Sequence, residues 1–326
     1  MDWNNKMILL TGGTGSFGQA FTEIMLRKYK PKVLRIFSRD ELKQYDMMKR
    51  FNDHPALRFF IGDVRDRERL LRAMDGVDIV VHAAAMKQVP TCEYNPFEAV
   101  RTNIFGAENI IEVALEHNVE KVIAISSDKA VAPLNLYGAT KLCMEKLFIA
   151  SNAYVGTRRR TRMSCARYGN VAGSRGSVIP LFKEQKKTGM LTITDERMTR
   201  FWITLEQGVE FVIRCLDMMH GGEVFIPKIP SLKIVDLART VSPECKIDYI
   251  GVRPGEKLHE SLITRDEARH TLEFDDYFII EPQEPQWAYA KWKGGKATPD
   301  GFRYASDTND RWLTKKEMEE MIRQGK

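Results

Sequence analysis

The chain has 326 residues, of which 43% are hydrophobic and 29% are charged, and its formal net charge is +6. This composition is ordinary for a globular protein and excludes the disordered, collagen-like and disulfide-scaffold classes. No run of about 18 apolar residues is present, and residues 1–6 lead directly into a predicted strand, so we expect a cytoplasmic protein without a membrane span or a signal peptide.

The first predicted strand, residues 6–10, is followed at once by a glycine-rich turn and an amphipathic helix. The glycines fit G-x-G-x-x-G at 13, 15 and 18, and G-x-x-G-x-x-G at 12, 15 and 18. Backbone without a Cβ can approach a pyrophosphate closely, and a helix N-terminus offers free N–H groups. The turn therefore predicts a dinucleotide site, which we assign to Gly12, Gly15, Ser16, Phe17 and Gly18.

The end of the second predicted strand distinguishes the two nicotinamide dinucleotides. Residues 32–37 lead to Ser38, Arg39 and Asp40, where the adenosine ribose of the cofactor would lie. A carboxylate there favours NAD through the 2′-hydroxyl, whereas an arginine accommodates the 2′-phosphate of NADP. Arg39, with Ser38 before it and Lys43 soon after it, favours NADP, and Asp40 keeps NAD as the less favoured alternative.

Two further strand–helix units extend the pattern. Residues 57–61 lead to Asp63 and Val64, where an adenine contact is expected, and residues 77–82 lead to Ala83 and Ala84, whose small side chains would let a ring or ribose approach the backbone. A long helix is predicted over residues 95–117, with Asn103 and Asn109 as candidates to bond backbone near the cofactor. The β-α-β-α-β alternation predicts an α/β fold with a doubly wound parallel sheet of the Rossmann type.

Residues 126–141 are chemically the richest segment, and they follow the apolar strand 122–125. Because open α/β sheets hold their ligands at the carboxyl ends of the strands, residues 126–129 are expected at the ligand edge. Tyr137 and Lys141 are four apart on a predicted helix and therefore share one face. The ammonium is expected to lower the pKa of the Tyr137 phenol below its usual value of about 10.

After residue 160 the pattern changes. A strand over 162–167 ends in a glycine-rich loop, residues 223–226 are predicted to form the last strand of the main sheet, and the remainder has short elements with more Pro and Gly. We expect an NADP-binding Rossmann domain over 1–167, to which 203–226 returns. A smaller C-terminal substrate-binding lobe would consist of 168–202 and 227–326, with the substrate between the two parts.

The remaining signals are weak. The five cysteines contain no C-x-x-C pair and are odd in number, so we expect reduced thiols rather than a disulfide framework, and no metal site. The cluster Arg158, Arg159, Arg160 and Arg162 is compatible with a nucleic-acid patch or a solvated turn, and we favour the turn. We expect neither a nucleic-acid nor a membrane partner.

Four motifs together resemble the extended short-chain dehydrogenase/reductase superfamily that modifies nucleotide sugars: residues 11–18, 137–141, 168–171 and 253–257. The resemblance covers nearly the whole chain. Within the superfamily, Ser126-Ser127-Asp128-Lys129-Ala130 is similar to the inverting UDP-N-acetylglucosamine 4,6-dehydratases, which begin pseudaminic acid synthesis. Relatives that form 4-keto-6-deoxy sugars without inversion carry an Asp-Glu pair where this chain has Asp128 and Lys129.

The resemblance implies oxidation at C4 of the sugar, elimination of water across C5 and C6, and return of hydride to C6, so that a tightly bound NADP is recycled. It implies Tyr137 as the base at O4 supported by Lys141, Lys129 as the base at C5, Asp128 as the acid for the C6 hydroxyl, and Ser127 as a hydrogen-bond partner of O4. The product would be UDP-2-acetamido-2,6-dideoxy-β-L-arabino-hex-4-ulose.

Both elimination roles require displaced pKa values, because an ordinary lysine titrates near 10.4 and an ordinary aspartate near 3.9. A displacement of about 3 units requires roughly 4 kcal/mol from burial and neighbouring charges. We expect Lys141 and the oxidised nicotinamide to lower the pKa of Lys129. Desolvation would raise the pKa of Asp128, while nearby cations would oppose that change.

The resemblance also implies a UDP-sugar substrate, and arginine paired with a diphosphate is physically apt. Arg253 has a structural alternative, an ion pair with Glu256 or Glu260. A UDP-hexose 4-epimerase of the same superfamily and a non-catalytic NADP-sensing scaffold are the competing functions, and we expect a homo-oligomer. The predicted substrate contacts are Asn170, Val171, Ser177, Arg200, Arg253 and Glu256, with Lys87 and Asn103 placed towards the cofactor and Lys87 also near the substrate.

Overall fold

The computed structural model describes residues 1–156, 160–173, 178–284 and 290–324. The larger strands and those of the small sheets are, in chain order, β1 (Met7–Thr11), β2 (Val33–Ser38), β3 (Leu57–Ile61), β4 (Ile79–His82), β5 (Lys121–Ser127), β6 (Arg162–Tyr168), β7 (Asn170–Val171), β8 (Met190–Ile193), β9 (Thr199–Ile203), β10 (Val224–Pro227), β11 (Ser231–Lys233), β12 (Lys246–Tyr249), β13 (Ser261–Ile263), β14 (Thr271–Glu273), β15 (Tyr277–Ile280), β16 (Lys296–Ala297) and β17 (Tyr304–Ala305). The α-helices are α1 (Ser16–Ile24), α2 (Glu41–Arg50), α3 (Arg67–Met74), α4 (Val89–Tyr94), α5 (Pro96–Val100), α6 (Gly106–Glu116), α7 (Leu136–Ala150), α8 (Val178–Gln185), α9 (Leu205–Met218), α10 (Ile234–Val241) and α11 (Lys315–Gln324).

A central sheet carries the fold, with strand order β16-β14-β15-β10-β6-β5-β4-β1-β2-β3. The strands from β10 to β3 in this order pair in parallel. The chain order reverses between β1 and β4, where Thr11 pairs with His82. Open α/β sheets bind ligands in the crevice at such a switch point. The predicted α/β class and doubly wound parallel sheet are confirmed.

The apolar strand segments explain why this sheet lies inside the protein. Ile8, Leu9 and Leu10 of β1 are fully buried, as are Val122 and Ile123 of β5. Parallel strands are covered by helices on both faces and therefore consist of nearly continuous apolar runs. Helices α1 and α9 contact each other, and α6 contacts both α3 and α7.

The antiparallel edge of the sheet was not expected. Strands β14, β15 and β16 come from the segment that the sequence assigned to the lobe, yet β15 pairs with β10 and β14 pairs with both β15 and β16. Residues 224–227 therefore do not form the last strand of the main sheet. The four residues of β15 are all buried, and nothing within this short run indicates that it pairs with β10. The lobe boundary itself stays a prediction.

A second, smaller hydrophobic core lies in the C-terminal half. It is built by β9 and β11 of one small sheet, by β8 and β12 of another, and by helices α8, α10 and α11. Its central side chains are buried and include Ile179, Phe182, Leu191, Trp202 and Leu237. This core supports the segments that face the carboxyl edge of the central sheet.

The predicted long helix over 95–117 is interrupted. It divides into α5, a π-helical turn over Arg101–Phe105, and α6. Asn103 is buried inside that turn, and π-helical turns within α-helices are frequent at functional sites. No helix in the described ranges is both long and apolar enough to cross a membrane.

Candidate active site

A cavity of about 1110 Å³ runs along the carboxyl edge of the central sheet, from the glycine-rich turn to the C-terminal lobe. Ligand pockets usually measure about 300–1,000 Å³, so the space suits two ligands side by side. Most of the predicted site residues line it: Gly12, Gly15, Ser16, Phe17, Ser38, Arg39, Asp40, Lys43, Asp63, Val64, Ala83, Ala84, Lys87, Ser127, Asp128, Lys129, Tyr137, Asn170, Val171, Arg200, Arg253 and Glu256. Gly18, Asn103 and Lys141 are not among the lining residues, and Ser177 lies outside the described residues.

The glycine-rich turn has the geometry that a pyrophosphate needs. Gly12 has φ +67°, and a Cβ there would lie 2.8 Å from the Ala84 nitrogen. A Cβ on Gly18 would lie 2.3 Å from the Gly13 oxygen, so α1 packs directly on the turn. Helix α1 begins after Gly15, so its N-terminus faces this turn, and a helix N-terminus favours the binding of an anion. These residues fit a dinucleotide.

The residues after β2 divide into engaged and exposed side chains. The Asp40 carboxylate caps α2 by accepting a hydrogen bond from the Lys43 nitrogen at 3.0 Å, and Lys43 Nζ lies 2.6 Å from its other oxygen. Ser38 Oγ accepts a hydrogen bond from Gln44 Nε2 at 3.0 Å. The Arg39 side chain is 62% exposed, with one long contact of 3.8 Å to Asp63 Oδ2. The Arg39 guanidinium is therefore better placed than the Asp40 carboxylate to contact a ligand.

Asn103 acts on the protein backbone, as the sequence suggested for it. Its Oδ1 accepts from the Met86 nitrogen at 2.8 Å, and its Nδ2 donates to the Met86 oxygen at 2.9 Å and to Thr140 Oγ1 at 2.9 Å. These bonds fasten the loop after β4 to α7. Asn109 similarly donates to the Val64 oxygen at 3.0 Å.

Helix α7 and the short 3-10 turn over Asp128–Ala130 place the reactive side chains together. The Asn135 side chain caps α7 by accepting from the Gly138 nitrogen at 2.8 Å. A Cβ on Gly138 would lie 2.1 Å from the Lys129 oxygen, so only glycine permits this approach. Tyr137, next to it, is buried and forms a side-chain hydrogen bond with Ser127.

The environment of Tyr137 differs from the expectation. Burial raises the pKa of the Tyr137 phenol, and the charge that opposes this effect is the Lys129 ammonium, together with the Ser127 hydrogen bond. Lys141 Nζ instead donates to the Ile125 oxygen at 2.5 Å and lies 3.2 Å from Met144 Sδ, while burial lowers the pKa of Lys141 to about 8. The prediction that Lys141 lowers the pKa of Tyr137 is therefore wrong for this structure.

Asp128 and Lys129 form a close pair. Lys129 Nζ lies 3.0 Å from Asp128 Oδ1, and Ser127 Oγ donates to the same oxygen at 2.8 Å. Asp128 is 1% exposed, and its Oδ2 has no hydrogen-bond partner within the described part of the chain. An unpaired buried carboxylate oxygen beside a cavity is an atom that a ligand would satisfy.

The expected lowering of the Lys129 pKa is also wrong. Burial does lower it, and Arg200 contributes in the same direction, but the charges of Asp128 and Glu260 outweigh both and raise the pKa of Lys129 above its ordinary value. The Lys129 side chain is therefore an ammonium at neutral pH. The carboxylates of Asp128 and Glu260, which the expectation did not include, account for the difference.

Glu260 is the site residue that the sequence analysis missed. It is 2% exposed, and its Oε1 lies 3.6 Å from Lys129 Nζ and 3.8 Å from Arg200 Nε. Lys257 Nζ lies 3.8 Å from its Oε2. The sequence offered Glu260 only as a partner for Arg253, whereas the 54% exposed Arg253 side chain has its contact with Glu256, at 4.0 Å.

Loops of the C-terminal half contact the segment that carries Asp128, Lys129 and Tyr137. Asn135 Nδ2 donates to the Gly255 oxygen at 2.8 Å, and Arg200 Nη1 donates to the oxygens of Thr199 and Leu258 at 2.7 and 3.1 Å. These bonds fix the loop that carries Arg253, Glu256 and Glu260 beside the reactive pair.

The basic cluster is only partly described. Arg158 and Arg159 lie outside the described residues. The Arg160 nitrogen donates to Asn118 Oδ1 at 2.8 Å, and its guanidinium lies 3.6 Å from Asp78 Oδ1. These contacts within the chain agree with a turn that leads into β6.

The chain is similar over most of its length to proteins of known sequence and structure. The family described as polysaccharide biosynthesis protein matches residues 8–282. The UDP-N-acetylglucosamine 4,6-dehydratase (inverting) of Campylobacter jejuni strain 81-176 is 52% identical over 329 residues, which cover 98% of each protein. The UDP-glucose 4-epimerase of Rickettsia conorii is 45% identical over 296 residues, or 88% of this chain and 86% of the epimerase. The X-ray structure of Pen from Bacillus thuringiensis has a TM-score of 0.91 at 40% identity and is matched over 100% of this chain and 99% of Pen.

Proposed function

The chain belongs to the polysaccharide biosynthesis protein family of extended short-chain dehydrogenases/reductases, and from this membership we propose that it is an inverting UDP-N-acetylglucosamine 4,6-dehydratase. The pair formed by the buried Asp128 and the partly exposed Lys129 beside Tyr137, with 3.0 Å between Lys129 Nζ and Asp128 Oδ1, carries the proposal. The 52% identity to the Campylobacter jejuni enzyme supports it. The product would be UDP-2-acetamido-2,6-dideoxy-β-L-arabino-hex-4-ulose. The enzymes that the chain resembles form this compound as the first step of pseudaminic acid synthesis.

The first step that the residues serve is removal of the O4 proton. Tyr137 takes this proton, since it is buried in the cavity and its phenol is hydrogen-bonded to Ser127. The Lys129 ammonium favours the phenolate that must form. A nicotinamide dinucleotide bound in the cavity supplies the hydride acceptor for C4 and the hydride donor for C6.

Elimination needs a base at C5 and an acid at the C6 hydroxyl, and the Asp128–Lys129 pair supplies both by sharing one proton. Transfer of a proton from the Lys129 ammonium to Asp128 Oδ1, across their 3.0 Å hydrogen bond, gives a neutral amine and a carboxylic acid. The amine takes the C5 proton, and the acid protonates the departing hydroxyl to form water. The pair returns to ammonium and carboxylate, so the proton count balances.

We propose NADP as the cofactor, with NAD as the alternative. Gly12, Gly15, Ser16 and Phe17 would hold the pyrophosphate, and Gly18 lets α1 pack against that turn. Arg39 with Lys43 and Ser38 would meet the 2′-phosphate, because the Asp40 carboxylate is engaged as the cap of α2. Asp63 and Val64 would lie near the adenine, and Ala83, Ala84 and Lys87 would lie along the rest of the cofactor. Lys141 and Asn103, which do not line the cavity, would support the backbone next to the cofactor.

We assign the UDP group to the lobe side of the cavity. Arg200 and Arg253 supply positive charge there, and Asn170 has an Oδ1 atom without a hydrogen-bond partner within the described ranges. Guanidinium groups recognise diphosphates by paired, charge-assisted hydrogen bonds. Val171, Glu256 and Lys87 line the same region, and Ser177 stays a sequence prediction.

UDP-hexose 4-epimerase activity is the competing function, and the 45% identity to the UDP-glucose 4-epimerase of Rickettsia conorii supports it. An epimerase needs Tyr137 and the cofactor for chemistry at C4 only. It has no use for an acid and a base directed at C5 and C6. The Asp128–Lys129 pair therefore favours the dehydratase.

The deciding experiment is product analysis. UDP-N-acetylglucosamine is incubated with the protein and NADP in deuterated water, and the products are identified by NMR and mass spectrometry. We expect a 4-keto-6-deoxy product of L-arabino configuration with solvent deuterium at C5. Recovery of UDP-N-acetylgalactosamine alone would establish the epimerase, and no turnover of any UDP-hexose would favour a non-catalytic scaffold.

A further inference from the structure

We propose that Glu260 is a positioning residue for the elimination step: it holds the Lys129 side chain beside Asp128 and sets the protonation of that pair. The proposal rests on the dehydratase function argued above and assigns a role to a residue outside the predicted acid/base pair. Its basis is a charge cluster that joins the catalytic turn to the loop of the C-terminal lobe.

The backbone that carries the Glu260 carboxylate is fixed in place. Its side chain is 3% exposed, and its Oε1 lies 3.6 Å from Lys129 Nζ. The Glu260 nitrogen donates to Ser306 Oγ at 2.9 Å, and the Ser306 nitrogen donates back to the Glu260 oxygen at 2.8 Å. Because Ser306 is fully buried, the backbone that carries the carboxylate is pinned at this point.

The Lys129 ammonium therefore lies between two carboxylates that come from different parts of the chain. Asp128 is its neighbour on the 3-10 turn, with Oδ1 at 3.0 Å, and Glu260 approaches from the lobe at 3.6 Å. With Asp128 alone, the long lysine side chain would be restrained at one point. With Glu260 as well, its amine is held at the site where it must reach C5.

Two further cations lie close to the Glu260 carboxylate. Arg200 Nε lies 3.8 Å from its Oε1, and Lys257 Nζ lies 3.8 Å from its Oε2. Lys257 also donates a hydrogen bond to the Val131 oxygen, just after the catalytic turn. The charged groups around Lys129 are therefore Asp128, Glu260, Arg200 and Lys257, with the Tyr137 phenol nearby from α7.

The sign of the effect follows from these charges. Burial lowers the pKa of Lys129, whereas Asp128 and Glu260 raise it. Replacing Glu260 with glutamine removes one of the two raising charges, so the pKa of Lys129 falls. The singly protonated pair carries out elimination, and a lower pKa of Lys129 lets the pair lose that proton at a lower pH. The elimination rate should therefore decline from a lower pH in the variant, which displaces its pH profile downwards.

The test compares Glu260→Gln and Glu260→Asp with the unaltered protein in single-turnover reactions at a series of pH values. Transient absorbance of the reduced cofactor reports C4 oxidation, and the 4-keto-6-deoxy product reports elimination. For Glu260→Gln we expect elimination to be slower by roughly tenfold to a hundredfold at its optimum. Its pH profile should be displaced downwards by about 1 unit or more, with oxidation changed much less.

Glu260→Asp separates charge from position. It keeps the carboxylate and shortens the side chain, so we expect slower elimination with a pH profile close to that of the unaltered protein. If Glu260→Gln fails to fold, as judged by thermal unfolding, Glu260→Asp becomes the test. A pH profile of Glu260→Asp displaced by about 1 unit or more, or an unchanged elimination rate, would overturn the proposal.

The matched control is Glu273→Gln. Glu273 Oε1 lies 2.7 Å from Lys228 Nζ in a more exposed pair that is absent from the lining of the cavity. We expect its pH profile to be unchanged. Equal loss of oxidation and elimination in Glu260→Gln, without a displaced profile, would show a merely structural role. Absence of the 4-keto-6-deoxy product with the unaltered protein would instead reject the dehydratase function itself.

Discussion

At the scale of single residues, the pair Asp128 and Lys129 changes the problem that the sequence posed. Taken separately, each side chain needed a displaced pKa of about 3 units. In the structure the two groups share a 3.0 Å hydrogen bond, so transfer of one proton creates the base and the acid together. Ser127 donates to the same carboxylate oxygen and keeps Asp128 turned towards the lysine.

Lys129→Ala should separate oxidation from elimination. Tyr137 and Ser127 remain, so we still expect transient absorbance of the reduced cofactor after UDP-N-acetylglucosamine is added, formed more slowly because the Lys129 ammonium no longer favours the Tyr137 phenolate. Water loss should fall by at least about a hundredfold, because general acid–base catalysis contributes 10²–10⁴-fold. Lys228→Ala, which removes the lysine of a carboxylate pair outside the cavity lining, is the control. Normal formation of the 4-keto-6-deoxy product by Lys129→Ala would refute the base assignment.

At the scale of elements, α7 and the 3-10 turn over Asp128–Ala130 work as one unit. Gly138 permits the contact, since a Cβ there would lie 2.1 Å from the Lys129 oxygen. The sequence predicted α7 and the strand that precedes the turn, because the Tyr-Lys spacing and the apolar run of β5 are local signals. It could not predict how closely α7 approaches the 3-10 turn, because that distance depends on the absence of a side chain at Gly138.

Gly138→Ala should therefore destabilise the protein although it adds a better helix former. The gain in helix propensity is about 1 kcal/mol, and overpacking against backbone costs about 1–3 kcal/mol. Gly208 of α9 is the matched control, because a Cβ there meets its nearest atom at 3.9 Å. Urea unfolding should show a lower midpoint for Gly138→Ala and an unchanged or higher midpoint for Gly208→Ala. Equal stabilisation of both variants would contradict the close contact.

At the scale of the whole molecule, the parts that sequence could predict are those built from repeating local units. The parallel strands from β1 to β5 each precede a helix, and the carboxyl edge where their ligand residues meet follows from that order. The antiparallel strands β14, β15 and β16 pair with elements that are distant in sequence. Glu260 was missed for the same reason: its partners Lys129 and Arg200 come from two other segments, and no spacing within one segment reveals them.

One cavity shared by two parts of the fold predicts that cofactor and nucleotide stabilise the protein through different residues. A ligand at 100 times its Kd adds about 2.7 kcal/mol to the free energy of unfolding, and loss of a hydrogen bond to a charged group costs about 1.5–3 kcal/mol. In thermal unfolding, Arg39→Ala should lose most of the shift produced by NADP and keep the shift produced by UDP, whereas Arg253→Ala should do the reverse. Each variant is the control for the other, and NAD should stabilise Arg39→Ala as much as the unaltered protein.

Two outcomes would contradict these assignments. If Arg39→Ala reduced the thermal shifts produced by NADP and NAD equally, Arg39 would not contact the 2′-phosphate. If Arg253→Ala kept the full shift produced by UDP, the diphosphate would not lie on the lobe side of the cavity.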